Sequence, residues 1–268
     1  STDRPFTSAL VYDSASNGFE GITPPPAPVS APAVVAYNGL IYALGGTTTP
    51  GVAQIYDPVA DSWSSGTSAP AGFEGPMTGG IIGDRVYVLY LSTGLNFYEY
   101  NITLDTWTQK ASAPSALILS ERRAIAYQGG LHVVGGRIGD GSRVNTHYRY
   151  DPVGDTWTAQ ANLPAARESV VPAVYSDRLF IFSGFGNDGG QNIAQTDYWA
   201  YDGVSNTWSA GRKLRRPAVR GAAALIGDDL HIFGGRTDGN TAATDVHERY
   251  RFYRLRLNKS PLPLPLSN

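Results

Sequence analysis

The chain contains no cysteine. That excludes a disulfide framework, a thiolate metal site and a cysteine nucleophile, and it leaves the redox compartment open. Charge is also scarce: Asp, Glu, Lys and Arg make up 16% of 268 residues, against about 25% in an ordinary soluble domain. A formal net charge of −2 and a pI near 6.1 give no global positive field to neutralise a phosphate backbone, so nucleic acid is not an expected partner. Long apolar runs are missing. Ala33 to Tyr37 and Ala222 to Ile226 fall far short of the ~20 residues of a membrane helix, so no membrane insertion is expected and the chain reads as soluble. Ser1 stands where an initiator Met would be; this suggests a segment removed upstream and leaves a secreted or periplasmic location open. Lysine is nearly absent: Lys110, Lys213 and Lys259 are the only three, and the other eighteen basic residues are arginines.

What is abundant is turn chemistry. The 31 glycines and 18 prolines are spread along the chain in short clusters, which points to many short elements and an all-β fold. A repeat organises them. One unit runs from Ala33 to Pro70: a strand Ala33–Tyr37, a turn at Asn38-Gly39, a strand Leu40–Leu44 ending in Gly45-Gly46, then Tyr56-Asp57 and a hairpin into Ser62-Trp63. The Tyr and Trp recur at the same seven-residue separation as Tyr100 with Trp107, Tyr150 with Trp157, and Tyr201 with Trp208. The double glycine recurs as Gly135-Gly136 and Gly234-Gly235, is degraded to Gly184-Phe185-Gly186, and is replaced by Tyr90-Leu91. Turn residues at Asn38-Gly39, Gly83-Asp84, Gly129-Gly130, Ser176-Asp177 and Gly227-Asp228 separate the first two strands. Each unit therefore reads as a four-stranded antiparallel meander. Such a sheet cannot bury both faces alone, so copies stack radially into a β-propeller.

The double glycine, Tyr56-Asp57-Pro58 and Tyr150-Asp151-Pro152, the Ser-Trp or Thr-Trp pairs, and Leu163-Pro164 followed by an Arg resemble the kelch motif. The resemblance implies a kelch-type β-propeller of four-stranded blades, a fold that serves many unrelated functions. Counting gives five first-and-second-strand pairs but six outer hairpins, because Tyr12-Asp13 with Phe19 repeats the spacing with Phe in the Trp place and Tyr250 is followed by Leu257 at the same separation. Five blades are expected, with six as the alternative, in a single domain over 1–268. The blades span 33–74, 75–121, 122–166, 167–219 and 220–258. The N-terminal hairpin and linker, 1–32, are expected to pair with the last blade and close the ring, removing open edges. A Pro-rich tail, 259–268, is expected to pack as an extended strap.

In such a meander the loop entering strand one and the loop leaving strand two lie on one face. Arginines gather there: Arg122, Arg123, Arg167 and Arg220 precede first strands, Arg215 and Arg216 share the last of these connections, and Arg137 and Arg236 follow the double glycines. Glu74, Glu121 and Glu168 occupy the same connections, so the rim is mixed. Guanidinium groups suit carboxylates and other oxyanions through paired hydrogen bonds, although an arginine here could equally serve the framework by bonding neighbouring carbonyls. The expected partner is an acidic protein or peptide segment or an anionic glycan. Two long polar loops on this face, Gly184 to Asp197 with Phe185, Asn187, Asp188, Gln191 and Asn192, and Arg236 to Asp245, could add contacts.

Catalytic chemistry is not evident. His132 and His231 occupy equivalent second-strand places, and His147 and His247 equivalent third-strand places, as framework residues, and no histidine pair has a third ligand at metal-binding spacing. No metal and no cofactor is expected. Kelch-related copper oxidases require a cysteine-modified tyrosine, which this chain cannot form. Asp61, Asp105 and Asp155 read as turn residues. The enzymatic alternative uses Glu121 or Glu168 as a proton carrier on an anionic sugar, as in sialic-acid mutarotases, which are also kelch propellers. A third possibility is a structural or oligomer-forming scaffold resting on the surplus hairpin.

Overall fold

A computed structural model describes residues 8–46, 51–71, 75–90, 96–117, 120–188, 191–236 and 247–251. Glu74, most of the Arg236 to Asp245 loop and the Pro-rich tail lie outside the described residues. The chain divides into two compact units, Ser1–Ile118 with Asp151–Trp157, and Leu119–Tyr150 with Thr158–Asn268.

In the first unit, β1 (Ala9–Asp13) and β2 (Gly18–Ile22) form a two-stranded hairpin. Two four-stranded meanders follow: β3 (Ala33–Tyr37), β4 (Leu40–Leu44), β5 (Ala53–Asp57) and β6 (Ser62–Gly66), then β7 (Met77–Ile82), β8 (Arg85–Tyr90), β9 (Phe97–Asn101) and β10 (Thr106–Gln109). Asn38 and Gly39 take φ of 47° and 79°, the double positive φ of a type I′ turn, which matches the right-handed strand twist and sets the β3–β4 register. Val35, Leu44, Ala53, Met77, Val86, Val88 and Tyr100 pack as one buried core between these two sheets.

The outer hairpins are joined in series. Asp61 accepts from the Thr23 backbone N–H and hydroxyl at 2.9 Å each and from the Tyr56 hydroxyl at 2.8 Å, while Trp63 Nε1 donates to the Thr23 carbonyl at 2.7 Å. Asp105 repeats this on Thr67 and Tyr100, with Trp107 bonding the Thr67 carbonyl, and Asp155 with Trp157 does so on Ala111. Asp61, Asp105 and Asp155 all have positive φ, 45°, 51° and 49°. The expectation of a turn role holds, but the same carboxylates also hold one hairpin to the next.

The N-terminal hairpin carries the same signature. Tyr12 donates to Asn17 Oδ1 at 2.8 Å, Asn17 has φ 55°, and the Tyr12 and Phe19 rings lie 5.2 Å apart. It is an outer hairpin of the repeat, docked on the first meander through Thr23. Among the described residues β1–β2 forms a two-stranded sheet and the last sheet has three strands.

The second unit holds β11 (Arg123–Tyr127), β12 (Gly130–Val134), β13 (His147–Asp151) and β14 (Thr156–Ala159), the tip of whose last hairpin groups with the first unit. It continues with β15 (Val171–Tyr175), β16 (Arg178–Phe182), an inserted hairpin β17 (Phe185–Asp188) and β18 (Gln191–Ala194), then β19 (Tyr198–Asp202) and β20 (Thr207–Ala210), with sheet order β15-β16-β19-β20. Last come β21 (Ala222–Ile226), β22 (Asp229–Phe233) and β23 (His247–Arg251), three described strands. The β11–β12 turn falls on Gln128-Gly129, because Tyr127 pairs with Gly130 and Gly130 already belongs to the strand. Val171, Phe180, Phe182, Tyr198, Leu214 and Ile232 form one core, and Tyr127, Leu179, Ile181, Trp199 and Tyr201 another.

The double glycines bring the exit of strand two against the lead-in of the next strand one. A Cβ on Gly135, at φ 58°, would sit 2.3 Å from the Arg167 carbonyl oxygen, so no side chain fits there. In the fourth meander the register puts Ser183, at φ 58°, in this place rather than Gly184-Phe185-Gly186. Its hydroxyl donates to the Gln195 carbonyl and accepts from the Ala218 N–H, each at 2.8 Å.

Candidate functional site

The lead-in loops of the second unit converge through their backbones. Glu121, Ser169 and Arg220 stand in left-handed conformation just before β11, β15 and β21, at φ 57°, 56° and 60°. The Ser169 N–H donates to the Glu121 carbonyl at 2.8 Å, and the Arg220 N–H to the Ser169 carbonyl at 3.0 Å. Three non-glycine residues in this region carry strain of roughly 1–3 kcal/mol each. Ala31, at φ 52° before β3, does the same, so the geometry belongs to the repeat. What this unit adds is the side chains.

Glu121 is gripped from two sheets. Arg220 donates through Nη2 to Oε1 at 2.5 Å and through Nε to Oε2 at 3.1 Å, and the Ser169 hydroxyl donates to Oε2 at 2.7 Å. Burial alone would push this carboxyl up, but the Ser169 hydroxyl and the cations Arg220 and Arg123 bring it below its usual range. It is therefore ionised and fully hydrogen-bonded at neutral pH, a poor arrangement for carrying protons. Glu168, 3% exposed, lies between two guanidinium groups, with Arg143 Nη2 at 2.9 Å and Arg137 Nε at 3.3 Å.

The sequence-expected arginines separate into different settings. Arg122 is 2% exposed, and burial pulls its guanidinium down to about 10. Arg167, 7% exposed, donates to Asp197 Oδ2 at 2.8 Å and to the Ala166 carbonyl at 2.9 Å and lies over the Trp199 ring. Both act inside the fold. Arg216 makes a loose pair with Glu248 at 3.9 Å, and the Arg215 backbone N–H bonds the Tyr250 hydroxyl at 3.3 Å, away from Glu121 and Glu168. The Arg236 backbone pairs with that of Val219. Arg123 differs from all of these. Its one side-chain hydrogen bond among the described residues is from Nη1 to the Arg122 carbonyl at 3.4 Å, and it forms no ion pair there. Burial lowers its pKa, Glu121 opposes the shift and Arg220 adds to it.

Within the Gly184 to Asp197 segment β17 and β18 pair as a hairpin, and Phe185 is 6% exposed, packed inward instead of offered to a ligand. Arg143, Ser169, Asp197 and Trp199 join the site without having been singled out in the sequence, because none of them falls on a recurring motif place.

Comparison with known proteins agrees with the repeat. The Kelch motif model matches residues 28–70 and 121–164. The chain carries kelch repeats. It is 24% identical over 262 residues to Kelch-like protein terF of Aspergillus terreus, covering 90% of this chain and 57% of that protein. It is 29% identical over 172 residues to Kelch-like protein 35 of Mus musculus, covering 62% and 29%. It is 27% identical over 220 residues to N-acetylneuraminate epimerase of Haemophilus influenzae, covering 67% and 57%. The chain thus spans between about a quarter and three fifths of the length of these relatives. The solved structure of YjhT superposes with a TM-score of 0.72 at 14% identity, covering 91% of this chain and 88% of that one. The fold of this kelch protein is a five-bladed β-propeller of four-stranded antiparallel sheets. Among the described residues no helix is long and apolar enough to cross a membrane.

Proposed function

We propose that this kelch chain is a non-catalytic recognition module that binds an acidic peptide, protein segment or anionic glycan on the lead-in face of its second unit. The observation that carries this is the charge balance of two clusters. Glu121 is paired with Arg220 and feels the charge of Arg123, and Glu168 is paired with Arg137 and Arg143. Guanidinium groups thus outnumber carboxylates on this face. Arg137, 39% exposed at its side chain, and Arg220, 33% exposed, are accessible, and arginine forks match carboxylate geometry. The ligand-binding set is therefore Arg123, Arg137, Arg220 and Arg236, with Arg122 and Arg167 holding the loops that present them.

Biosensor binding to poly-glutamate and to a uronate-containing glycan at low salt tests the proposal. The double variant Arg123→Ala, Arg137→Ala should lose most of the response while melting near wild type. An unchanged response, or none from the wild type with either ligand, overturns it.

Likeness to N-acetylneuraminate epimerase supports a second reading, an enzyme acting on an anionic sugar with Glu121 or Glu168 as proton carrier. The full hydrogen-bonding of Glu121 and its depressed pKa weigh against it. NMR exchange measurements on the anomers of N-acetylneuraminate and of uronates decide the matter, and no acceleration over buffer eliminates the enzymatic reading.

A further inference from the structure

The turn that follows β12 brings two arginines face to face. The Ile138 N–H donates to the Ser142 carbonyl at 2.9 Å and the Val144 N–H to the Gly136 carbonyl at 3.0 Å, and between these bonds Arg137 stands opposite Arg143. Such a non-hydrogen-bonded pair is the closest cross-strand placement, and like charges facing each other there repel. Glu168 answers both. Its Oε1 accepts from Arg143 Nη2 at 2.9 Å, and its Oε2 lies 3.3 Å from Arg137 Nε. Oε2 is sealed from solvent and takes no hydrogen bond among the described residues, which leaves it facing the Nε edge of Arg137. The two guanidinium groups differ in setting: the Arg143 side chain is 4% exposed and that of Arg137 is 39% exposed. Arg143 supplies the counter-charge for the buried carboxylate, while Nη1 and Nη2 of Arg137 have no hydrogen-bond partner among the described residues. The matching place in the fourth meander holds Phe185, so the repeat framework does not require a guanidinium here.

We propose that Arg137 is the anchor that takes a ligand carboxylate end-on, through Nη1 and Nη2, and that Glu168 is the positioning residue that aims it. The inference rests on the recognition reading above and singles out one arginine of that set. Because Nε is turned to Glu168, the edge left to a ligand is the end of the guanidinium. Its two parallel donors match the two oxygens of a carboxylate, whether that of an acidic side chain or that of a uronate. A free arginine side chain gives up rotamer freedom when it grips a ligand, and one already held along its Nε edge has less to give up. Arg143 balances Glu168 at hydrogen-bond distance, so the aiming carboxylate does not cancel the charge it aims. This role for Glu168 needs no proton transfer.

The test measures binding of the intact protein to poly-glutamate and to a uronate-containing glycan by biosensor over a salt series, with a thermal melt of each variant. Arg137→Ala should lose most of the response, and Arg137→Lys, a point charge without the fork, should recover little of it. Glu168→Gln combined with Arg143→Gln removes one charge of each sign, so the cluster keeps its net charge and loses only the aim. Affinity should then fall about three- to tenfold, while the slope of log affinity against log salt, which reports charge, stays that of the wild type. If this double variant does not fold, Glu168→Asp keeps every charge, withdraws the carboxylate by one methylene, and should give the same loss at an unchanged slope. Wild-type affinity in whichever of these variants folds overturns the positioning role. Wild-type binding by Arg137→Ala, with the response lost in Arg220→Ala instead, overturns the anchor and leaves the recognition reading standing. A response to poly-glutamate alone assigns the carboxylate to a peptide, and one to the glycan alone assigns it to a sugar. Either supports the anchor when Arg137→Ala abolishes it. No response from the wild type to either ligand ends the recognition reading, and the anchor with it.

Discussion

Arg220, at the head of β21, closes a two-point ion pair on Glu121, at the head of β11, across a sequence separation of 99 residues. The pair therefore passes over the intervening meander, whose Ser169 supplies both a backbone and a side-chain link to Glu121. Three lead-in loops are locked by one carboxylate. Arg220→Ala would leave Glu121 with the Ser169 hydroxyl as its remaining side-chain hydrogen-bond donor. Because both partners retain some solvent contact, 33% and 22% at their side chains, the expected loss is about 1–2 kcal/mol rather than the larger penalty of a fully buried pair. Arg220→Lys should recover only part of it, since an ammonium cannot reproduce the fork. Urea denaturation of the three proteins measures the order.

Acid should weaken the protein well before its carboxylates titrate. His132 and His147, 2% and 0% exposed, share a 2.8 Å contact from Nδ1 to Nε2, and His147 Nδ1 lies 3.2 Å from the Ala161 carbonyl. That carbonyl can only accept, so His147 donates from Nδ1 and accepts at Nε2, and His132 donates. Both rings are neutral. Burial, with the neighbouring ring and Arg149 adding to it for His132, pulls His132 down to about 3, and burial pulls His147 to about 4. An unfolded imidazole titrates near 6.5, so between about pH 6.5 and 4 the unfolded chain holds more protons than the folded one. Stability is therefore full above about pH 6.5 and falls as pH drops, by up to about 1.4 kcal/mol per pH unit for each imidazole. The fourth meander has Phe180 and Tyr198 at the equivalent places, so His132→Phe with His147→Tyr removes the titration by a pairing the repeat already uses. Denaturation midpoints from pH 7.5 to 4.5 should then slope less steeply. The His231–His247 pair, lowered in the same direction by burial, keeps the slope from vanishing. An unchanged slope would refute the assignment.

The repeat was readable because its signals are local: a glycine pair, a tight turn, and Tyr and Trp seven residues apart. These fix four strands per unit without knowledge of what packs on them. The roles of the arginines were not readable in the same way. Arg122 and Arg123 are neighbours in sequence, yet one is sealed in the interior and the other keeps partial exposure, because successive residues entering a strand point to opposite sides and the pattern does not say which side is which. Arg143 stands outside every recurring place and was invisible for that reason. The carboxylates of Asp61, Asp105 and Asp155 were legible as turn residues, but their bonds to residues 38 to 44 positions earlier depend on stacking that no local pattern encodes.

Those bonds make a graded prediction at Asp105. Its carboxylate takes three hydrogen bonds, from the Thr67 N–H, the Thr67 hydroxyl and Tyr100. The last of the described hairpin links uses Asn206 instead, which accepts from Ala161 N–H and Tyr201 through one oxygen and has no hydroxyl to satisfy. Asp105→Asn therefore keeps two acceptor contacts and the positive φ that asparagine tolerates, while Asp105→Ala forfeits all three and strains the turn. Alanine should cost about 1–2 kcal/mol at this solvent-accessible place and asparagine less than half of that. Adding Thr67→Ala should cost almost nothing further in the asparagine background, because that reproduces the Ala161–Asn206 pair. Thermal melts of the four variants give the comparison, and a Thr67→Ala effect equal in both backgrounds would count against the shared geometry.

The same link decides how the N-terminal hairpin is held. Among the described residues β1–β2 pairs with no third strand, and Leu10 and Phe19 are 63% and 53% exposed, so little apolar burial keeps it in place. Its hold on the first meander is polar: Thr23 to Asp61 twice, and Trp63 Nε1 to the Thr23 carbonyl. Asp61→Ala with Trp63→Phe removes all three bonds while leaving the β5–β6 ladder intact. Amide protons of residues 9–22 should then exchange with solvent much faster than in the wild type, and a protease should cut in the 23–32 linker, while the amides of β7–β9 keep their protection. Loss of protection throughout the first unit would mean instead that the hairpin and the meanders unfold as one cooperative block, with the lock serving the whole unit rather than its edge.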